Sequence, residues 1–207
     1  MIQLNDVTKI YNQNIILSKL NYKFSKNGIY CIVGENGSGK STLLSIIANM
    51  IPPTSGQVSV IEEYKIDKSL SFFSYIAYVP DSCPIYPFIT GNEFIELIQS
   101  IRSTSRNSIN YLINEFELTN HMNTKIEDLS LGTVKKIMLI SALMTEAKVL
   151  ILDEPTNGLD TQTLTKFKKI LADEGKERLI IISCHDSVIQ NDLKATKIYL
   201  ESLQNYS

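Results

Sequence analysis

Nine consecutive residues, Gly34-Glu35-Asn36-Gly37-Ser38-Gly39-Lys40-Ser41-Thr42, fit the pattern GxxxxGK[ST] in full. Glycines at these spacings let successive backbone N–H groups turn inward onto phosphate oxygens. The start of the following helix adds its partial positive charge. In such a loop Lys40 reaches the β- and γ-phosphates, and the Ser41 hydroxyl ligates magnesium. The flanking sequence supplies the setting this chemistry needs. Ile29-Tyr30-Cys31-Ile32-Val33 reads as a buried parallel strand. From Ser41 onward, Leu43, Leu44, Ile46, Ile47 and Met50 mark a helix stopped by Pro52-Pro53. A glycine-rich turn that fits by chance lacks this strand–loop–helix frame. The expectation is a magnesium–nucleoside triphosphate site.

A second stretch, Val149-Leu150-Ile151-Leu152-Asp153-Glu154, is an apolar strand that ends in two carboxylates. At the end of a strand beside the phosphate loop, Asp153 holds magnesium through water. Glu154 is placed to polarise the water that attacks the γ-phosphate. Alone, the pair before Pro155 would read as a solvated acidic turn; the phosphate loop upstream favours the catalytic reading. His185 stands just beyond another apolar run, Leu179–Ser183, and strand ends on one edge of a parallel sheet converge on the ligand. His121 carries no such context and reads as an ordinary loop residue.

The elements that must position these groups follow from periodicity. Ile2 and Leu4 alternate with polar neighbours, as do Leu20, Tyr22 and Phe24, giving half-buried strands, with a further strand near 58–61. Thr90 and Glu93 form a capping-box pair before Phe94, Leu97, Ile98 and Ile101, and the same spacing recurs at Ile109, Leu112, Ile113 and Phe116. These read as an all-helical insertion over about 88–144. A helix over Thr161–Glu174 and the strand Leu179–Ser183 complete an alternation of strand and helix. The fold class expected is α/β: a P-loop core with a mostly parallel sheet, an N-terminal antiparallel β subdomain and an inserted helical subdomain.

Composition narrows the partners. The 207 residues suit one domain, with 20 Lys and Arg against 22 Asp and Glu. There is no basic field to draw in nucleic acid. Lys135-Lys136 and Lys168-Lys169 read as pairs on solvated helix faces. Three cysteines at irregular spacing argue against a disulfide framework or metal cluster and for a reducing compartment, with Cys31 and Cys184 as small core residues. The N-terminus lacks a signal-peptide layout. No apolar run approaches the ~20 residues of a membrane helix, so a soluble chain is expected, held at a membrane only by a partner.

With these motifs in place, the sequence resembles the ATP-binding subunits of ATP-binding cassette (ABC) transporters over almost its whole length. Leu129-Ser130-Leu131-Gly132-Thr133 is similar to the signature loop, usually LSGGQ. Thr156-Asn157-Gly158-Leu159-Asp160 resembles the loop after the catalytic carboxylate, with Asp160 as its aspartate. Ser183-Cys184-His185-Asp186 resembles the switch-histidine loop, and Tyr11 the aromatic that stacks on adenine. The resemblance implies ATP and Mg2+ as ligands. It also implies two cassettes packed head to tail as a homodimer, each ATP gripped by one chain's phosphate loop and by Ser130 and Gly132 of the other. A separate transmembrane permease would hold the pair at the inner face of the cell membrane, and the short S-L-G form is similar to cassettes of bacterial exporters.

Two stretches depart from the family pattern. Leu131 and Thr133 stand where glycine and glutamine are usual. After Tyr78-Val79-Pro80, Asp81 occupies the place of a glutamine that touches magnesium and faces the membrane partner, and a carboxylate there also binds magnesium. Glu154 and His185 argue against a weakly hydrolysing regulatory cassette. Lys40 and Ser130 stand too close in sequence for the long coiled coil of the soluble chromosome-organising ATPases.

Overall fold

A computed structural model describes residues 1–60, 74–102, 104 and 106–204. Two sheets carry the architecture. The first is antiparallel, with β1 (Ile2–Tyr11) between β2 (Asn14–Phe24) and β4 (Ser55–Val60). The second has five parallel strands in the order β5 (Ile76–Val79), β6 (Val149–Leu152), β7 (Leu179–Ser183), β3 (Gly28–Val33) and β8 (Thr196–Tyr199). Residue Ile61, placed by periodicity at the end of β4, lies outside the described residues.

The apolar runs of β3, β6 and β7 are unbroken because both faces of the parallel sheet are covered. On one face Cys31, Leu150, Leu152, Ile180 and Ile182 pack with the helical region. On the other, Ile32, Ile151 and Ile181 meet Ile2, Leu4, Leu17 and Phe24 of the antiparallel sheet and Leu43, Leu44 and Ile47 of α1 (Lys40–Ile47). α1 therefore lies between two sheets, which fixes where the phosphate loop can sit.

α1 ends earlier than the expectation of a helix running to Pro52-Pro53. Asn49 takes a left-handed conformation (φ 57°), and Met50 N–H donates to the Ser45 carbonyl at 2.9 Å. This is a capping geometry that terminates a helix before any proline acts. Met50, expected on the apolar helix face, lies beyond the helix and is exposed.

The helical region holds α2 (Gly91–Ile101), α3 (Arg106–Glu115) and α4 (Leu131–Leu143). Thr90 and Glu93 form the expected capping box on α2, the Thr90 hydroxyl accepting from Glu93 N–H and the Glu93 carboxylate from Thr90 N–H. α4 is buried along most of its length, from Val134 to Leu143, and joins the helical region to the parallel sheet. α5 (Thr161–Glu174) matches the expected span, followed by α6 (Ser187–Asp192) and α7 (Leu200–Leu203). Cys31 and Cys184 are buried and Cys83 half-buried, all as free thiols; burial pushes the Cys31 thiol up to about 12, which leaves it inert.

Candidate nucleotide site

Strand order decides the site. Because β5, β6, β7 and β3 are adjacent and parallel, their C-terminal ends lie side by side on one edge. Asp81 follows β5, Asp153 and Glu154 close β6, Ser183 and His185 close β7, and the phosphate loop follows β3. Residues far apart in sequence thus meet at the edge where ligands of open α/β sheets bind.

A cleft of about 500 Å³ lies there, lined by Tyr11, Asn36, Gly37, Lys40, Glu154 and His185, with Ile16, Gly39, Ser41, Thr42, Asp81 and Asn157. Gly39 has φ +100°, and a Cβ on it would meet Ile16 Cγ2 at 2.8 Å. Ile16 and Leu17 press the loop from the antiparallel sheet, so only glycine fits. Lys40 is buried, and its ammonium donates to the carbonyls of Gly34 and Glu35 at 2.9 Å each. These bonds fold the loop around its own lysine. Gly34 sits behind Ser38, whose buried Oγ has no hydrogen-bond partner among the described residues. A buried hydroxyl without a partner is costly in a closed core and is what a phosphate oxygen would satisfy.

Asp153 and Glu154 face different ways. Asp153 is buried, and its Oδ1 accepts from the Ser183 hydroxyl at 2.5 Å, so the side chain stays behind the cleft lining. The same hydroxyl accepts from Glu154 N–H at 2.8 Å. One serine of β7 therefore holds both acidic residues of β6. Glu154 has a left-handed backbone (φ 43°), unusual for a non-glycine and of the kind found where a side chain must be re-aimed at a functional site. The turn points Glu154 into the cleft. His185 Nε2 lies 2.7 Å from Glu154 Oε1, an oxygen that accepts no hydrogen bond of good geometry among the described residues. Burial pushes the Glu154 carboxyl above the usual carboxylate range. His185 and Lys40 pull it back down, and Asp153 and Asp81 add repulsion.

Tyr11 sits at the cleft mouth, half exposed, with Lys9 Nζ 4.9 Å from its ring centre. Among the described residues no three His, Cys, Asp or Glu side chains gather closely enough to hold a metal alone. Magnesium takes one or two carboxylates, waters and substrate phosphates; of the residues expected to hold it, Ser41 and Asp81 line the cleft and Asp153 lies behind it.

Three expected residues lie elsewhere. Ser130 caps α4, its hydroxyl accepting from Thr133 N–H at 3.2 Å, and both Ser130 and the neighbouring Leu131 are exposed. Gly132 abuts the next loop: a Cβ there would come 2.5 Å from the Gly158 carbonyl oxygen. Asp160 caps α5 by accepting from Thr163 N–H at 2.8 Å and pairs with Lys136 at 2.8 Å. These contacts hold its carboxyl far below the usual range, the Lys136 bond most of all. None of the three reaches the cleft of its own chain.

Sequence reasoning overlooked two residues. Ser183 gave no signal beyond membership of its motif. Lys135 was expected on a solvated face, and the structure corrects this: its side chain is 4% exposed and its ammonium faces the ends of β5 and β6. The Lys135-Lys136 pair looks solvated only if α4 is taken as a surface helix, whereas α4 runs through the core.

The fold and this cleft define a P-loop nucleoside triphosphatase of the α/β class. The ABC transporter family matches residues 17–157, and the chain belongs to that family. It is an ATPase subunit that binds ATP with Mg2+. The lantibiotic transport ATP-binding protein SrtF of Streptococcus pyogenes is 29% identical over 186 residues, covering 89% of this chain and 80% of that protein. The zinc uptake ATP-binding protein ZurA of Listeria monocytogenes is 26% identical over 205 residues, covering 92% and 79%. Among solved structures, the dimeric ATP-binding cassette MJ0796 bound to ADP and Pi superposes with a TM-score of 0.83 at 24% identity, covering 100% of this chain and 97% of that one, a likeness of fold. No described helix is long and apolar enough to cross a membrane.

Proposed function

We propose that this chain is the ATP-hydrolysing subunit of an ABC exporter, working as a homodimer on a separate transmembrane permease at the inner face of the membrane. The observation that carries the hydrolytic part is the meeting of Lys40, Glu154, His185 and Asp81 in one cleft with the phosphate loop. In this reading Gly34–Thr42 wraps the phosphates and Tyr11 stacks on adenine. Ser41, Asp153 and Asp81 serve magnesium, which neutralises charge on the β- and γ-phosphates. Glu154 accepts the proton of the attacking water, and His185 orients the carboxylate and meets the γ-phosphate.

Ser130 and Gly132 complete the site of the partner chain. Their support is position: an exposed cap at the start of a 13-residue helix, where the helix N-terminus favours an anion, and no part in the lining of their own cleft. Asp160 shapes this surface from behind, since its cap and its bond to Lys136 hold the loop that places Gly158 against Gly132. The permease is supported by the transport function named for SrtF and by an apolar groove of about 260 Å³ beside Asp81, lined by Met50, Tyr78, Pro80, Pro84, Arg102 and Met138. Export is supported by the Ser130-Leu131-Gly132 form of the loop.

Two measurements test this. Sizing chromatography of Glu154→Gln with Mg-ATP is expected to show dimers that Ser130→Arg abolishes; dimers that persist would end the shared-site reading. Transport in vesicles carrying the co-purified membrane subunit is expected to run outward, and ATP-driven uptake would overturn export.

A further inference from the structure

Lys135 is one of the two lysines that are buried among the described residues, the other being Lys40 of the phosphate loop. Lysine is rarely buried without partners. The Lys135 ammonium faces the carbonyl of Asp153 at 3.1 Å, those of Asp81 and Pro80 at 3.3 and 3.4 Å, and the Asp81 Oδ1 at 3.5 Å. Three of its four neighbours are main-chain carbonyls, so the lysine senses where the backbone of two loops lies. Those loops carry Asp81 after β5 and Glu154 after β6, and Asp153 N–H also donates to Val79 carbonyl across them at 2.8 Å.

The lysine belongs to α4, five residues after Ser130 and about 7.5 Å along the axis from it. Its neighbour Lys136 holds Asp160 on the adjoining loop at 2.8 Å. The helix that presents Ser130 and Gly132 outward packs through its apolar residues in the core, and beside the chain's own cleft one buried cation ties it to the ends of β5 and β6. We propose that Lys135 is a positioning residue that ties the orientation of α4 to the Asp81 and Asp153 strand ends, so that this chain's grip on its partner's nucleotide depends on the state of its own site. The inference rests on the shared-site reading above. A displacement of either loop by nucleotide or by a membrane partner pulls on a cation bonded to both loops, and α4 follows.

The test uses the full chain in the Glu154→Gln background with Mg-ATP as probe. Two quantities are measured: the dimerisation constant by sedimentation, and monomer affinity for a fluorescent ATP analogue at protein concentrations below dimerisation. Lys135→Met is expected to weaken dimerisation about tenfold, a typical coupling factor, while monomer affinity stays within about twofold. Lys135→Arg, which keeps charge and donors, is expected to restore dimerisation to within about threefold. Lys135→Gln covers the case of a methionine variant that does not fold; shorter and uncharged, it is expected to weaken dimerisation at least about threefold.

Dimerisation unchanged in the methionine or glutamine variant overturns the inference, as does a parallel fall in monomer affinity or failure of arginine to restore. If the Glu154→Gln parent itself forms no dimers with Mg-ATP, the shared-site reading fails and the inference falls with it. Dimers in the parent with no effect of Lys135 overturn the inference alone.

Discussion

His185 Nε2 lies 2.7 Å from Glu154 Oε1, although the two residues leave different strands and stand 31 positions apart. The contact exists because β6 and β7 are neighbours and because the left-handed backbone at Glu154 turns its carboxylate toward the next strand end. It sets the carboxylate proposed as general base against a group of opposite charge when the imidazole is protonated, in the cleft that Lys40 and the phosphate loop also line.

Replacing Glu154 by glutamine keeps the shape and removes the proton acceptor. ATP turnover is expected to fall by about two orders of magnitude or more, with nucleotide affinity retained. Steady-state phosphate release beside equilibrium nucleotide binding checks it. Near-parental turnover would remove Glu154 from the base role.

The same substitution has a pH signature in the metal- and nucleotide-free protein. Burial raises the Glu154 carboxyl above its unfolded value. A raised folded-state value gives stability that is full below the unfolded value and is lost as pH rises through the folded one. At neutral pH the wild type therefore carries the cost of a buried charge that glutamine lacks. Glu154→Gln is expected to melt higher than wild type at pH 7 in EDTA, with the difference shrinking as pH falls into the carboxylate range. A difference that is constant with pH would contradict this origin.

Ser183 is wholly buried and bonded on both sides, to Asp153 Oδ1 and Glu154 N–H. Ser183→Ala leaves a buried acceptor and a buried donor unmet. The expected loss of folding stability is about 1–3 kcal/mol. Turnover should fall as well, because both acidic residues lose their anchor. Urea melts and phosphate release measure the two effects, and an unchanged melt would show that the serine bonds are dispensable.

Gly132 tests how the signature loop leans on its neighbour. An added methyl would sit 2.5 Å from the Gly158 carbonyl oxygen, a backbone atom that cannot rotate aside. Gly132→Ala is expected to move the Ser130 end of α4 and to weaken ATP-driven dimerisation by about tenfold or more, while monomer ATP affinity remains. The comparison is sizing chromatography of the Glu154→Gln protein with and without the alanine. Equal dimerisation would show that the loops part freely.

Lys40→Ala checks the loop itself. The buried ammonium supports the loop through the Gly34 and Glu35 carbonyls and supplies the positive charge. Loss of tight ATP binding is expected, followed by equilibrium titration; retained affinity would mean that the phosphates bind elsewhere.

The sequence alone determined the phosphate loop, the acidic strand end and the alternation of strand and helix. These are local: glycine spacing, a capping pair such as Thr90 and Glu93, and apolar runs act through the few residues beside them. The helix end at Asn49 was also local in cause, yet the prolines further on masked it. Tertiary structure decided what depended on neighbours distant in sequence. Strand order placed His185 on Glu154 and put Ser183 between the Asp153 carboxylate and the Glu154 backbone N–H, and no periodicity encodes which strands will be adjacent. It also buried Lys135. A lysine reads as solvated from sequence because its desolvation is costly, and the three carbonyls and the Asp81 carboxylate gathered at the ends of β5 and β6 offset that cost.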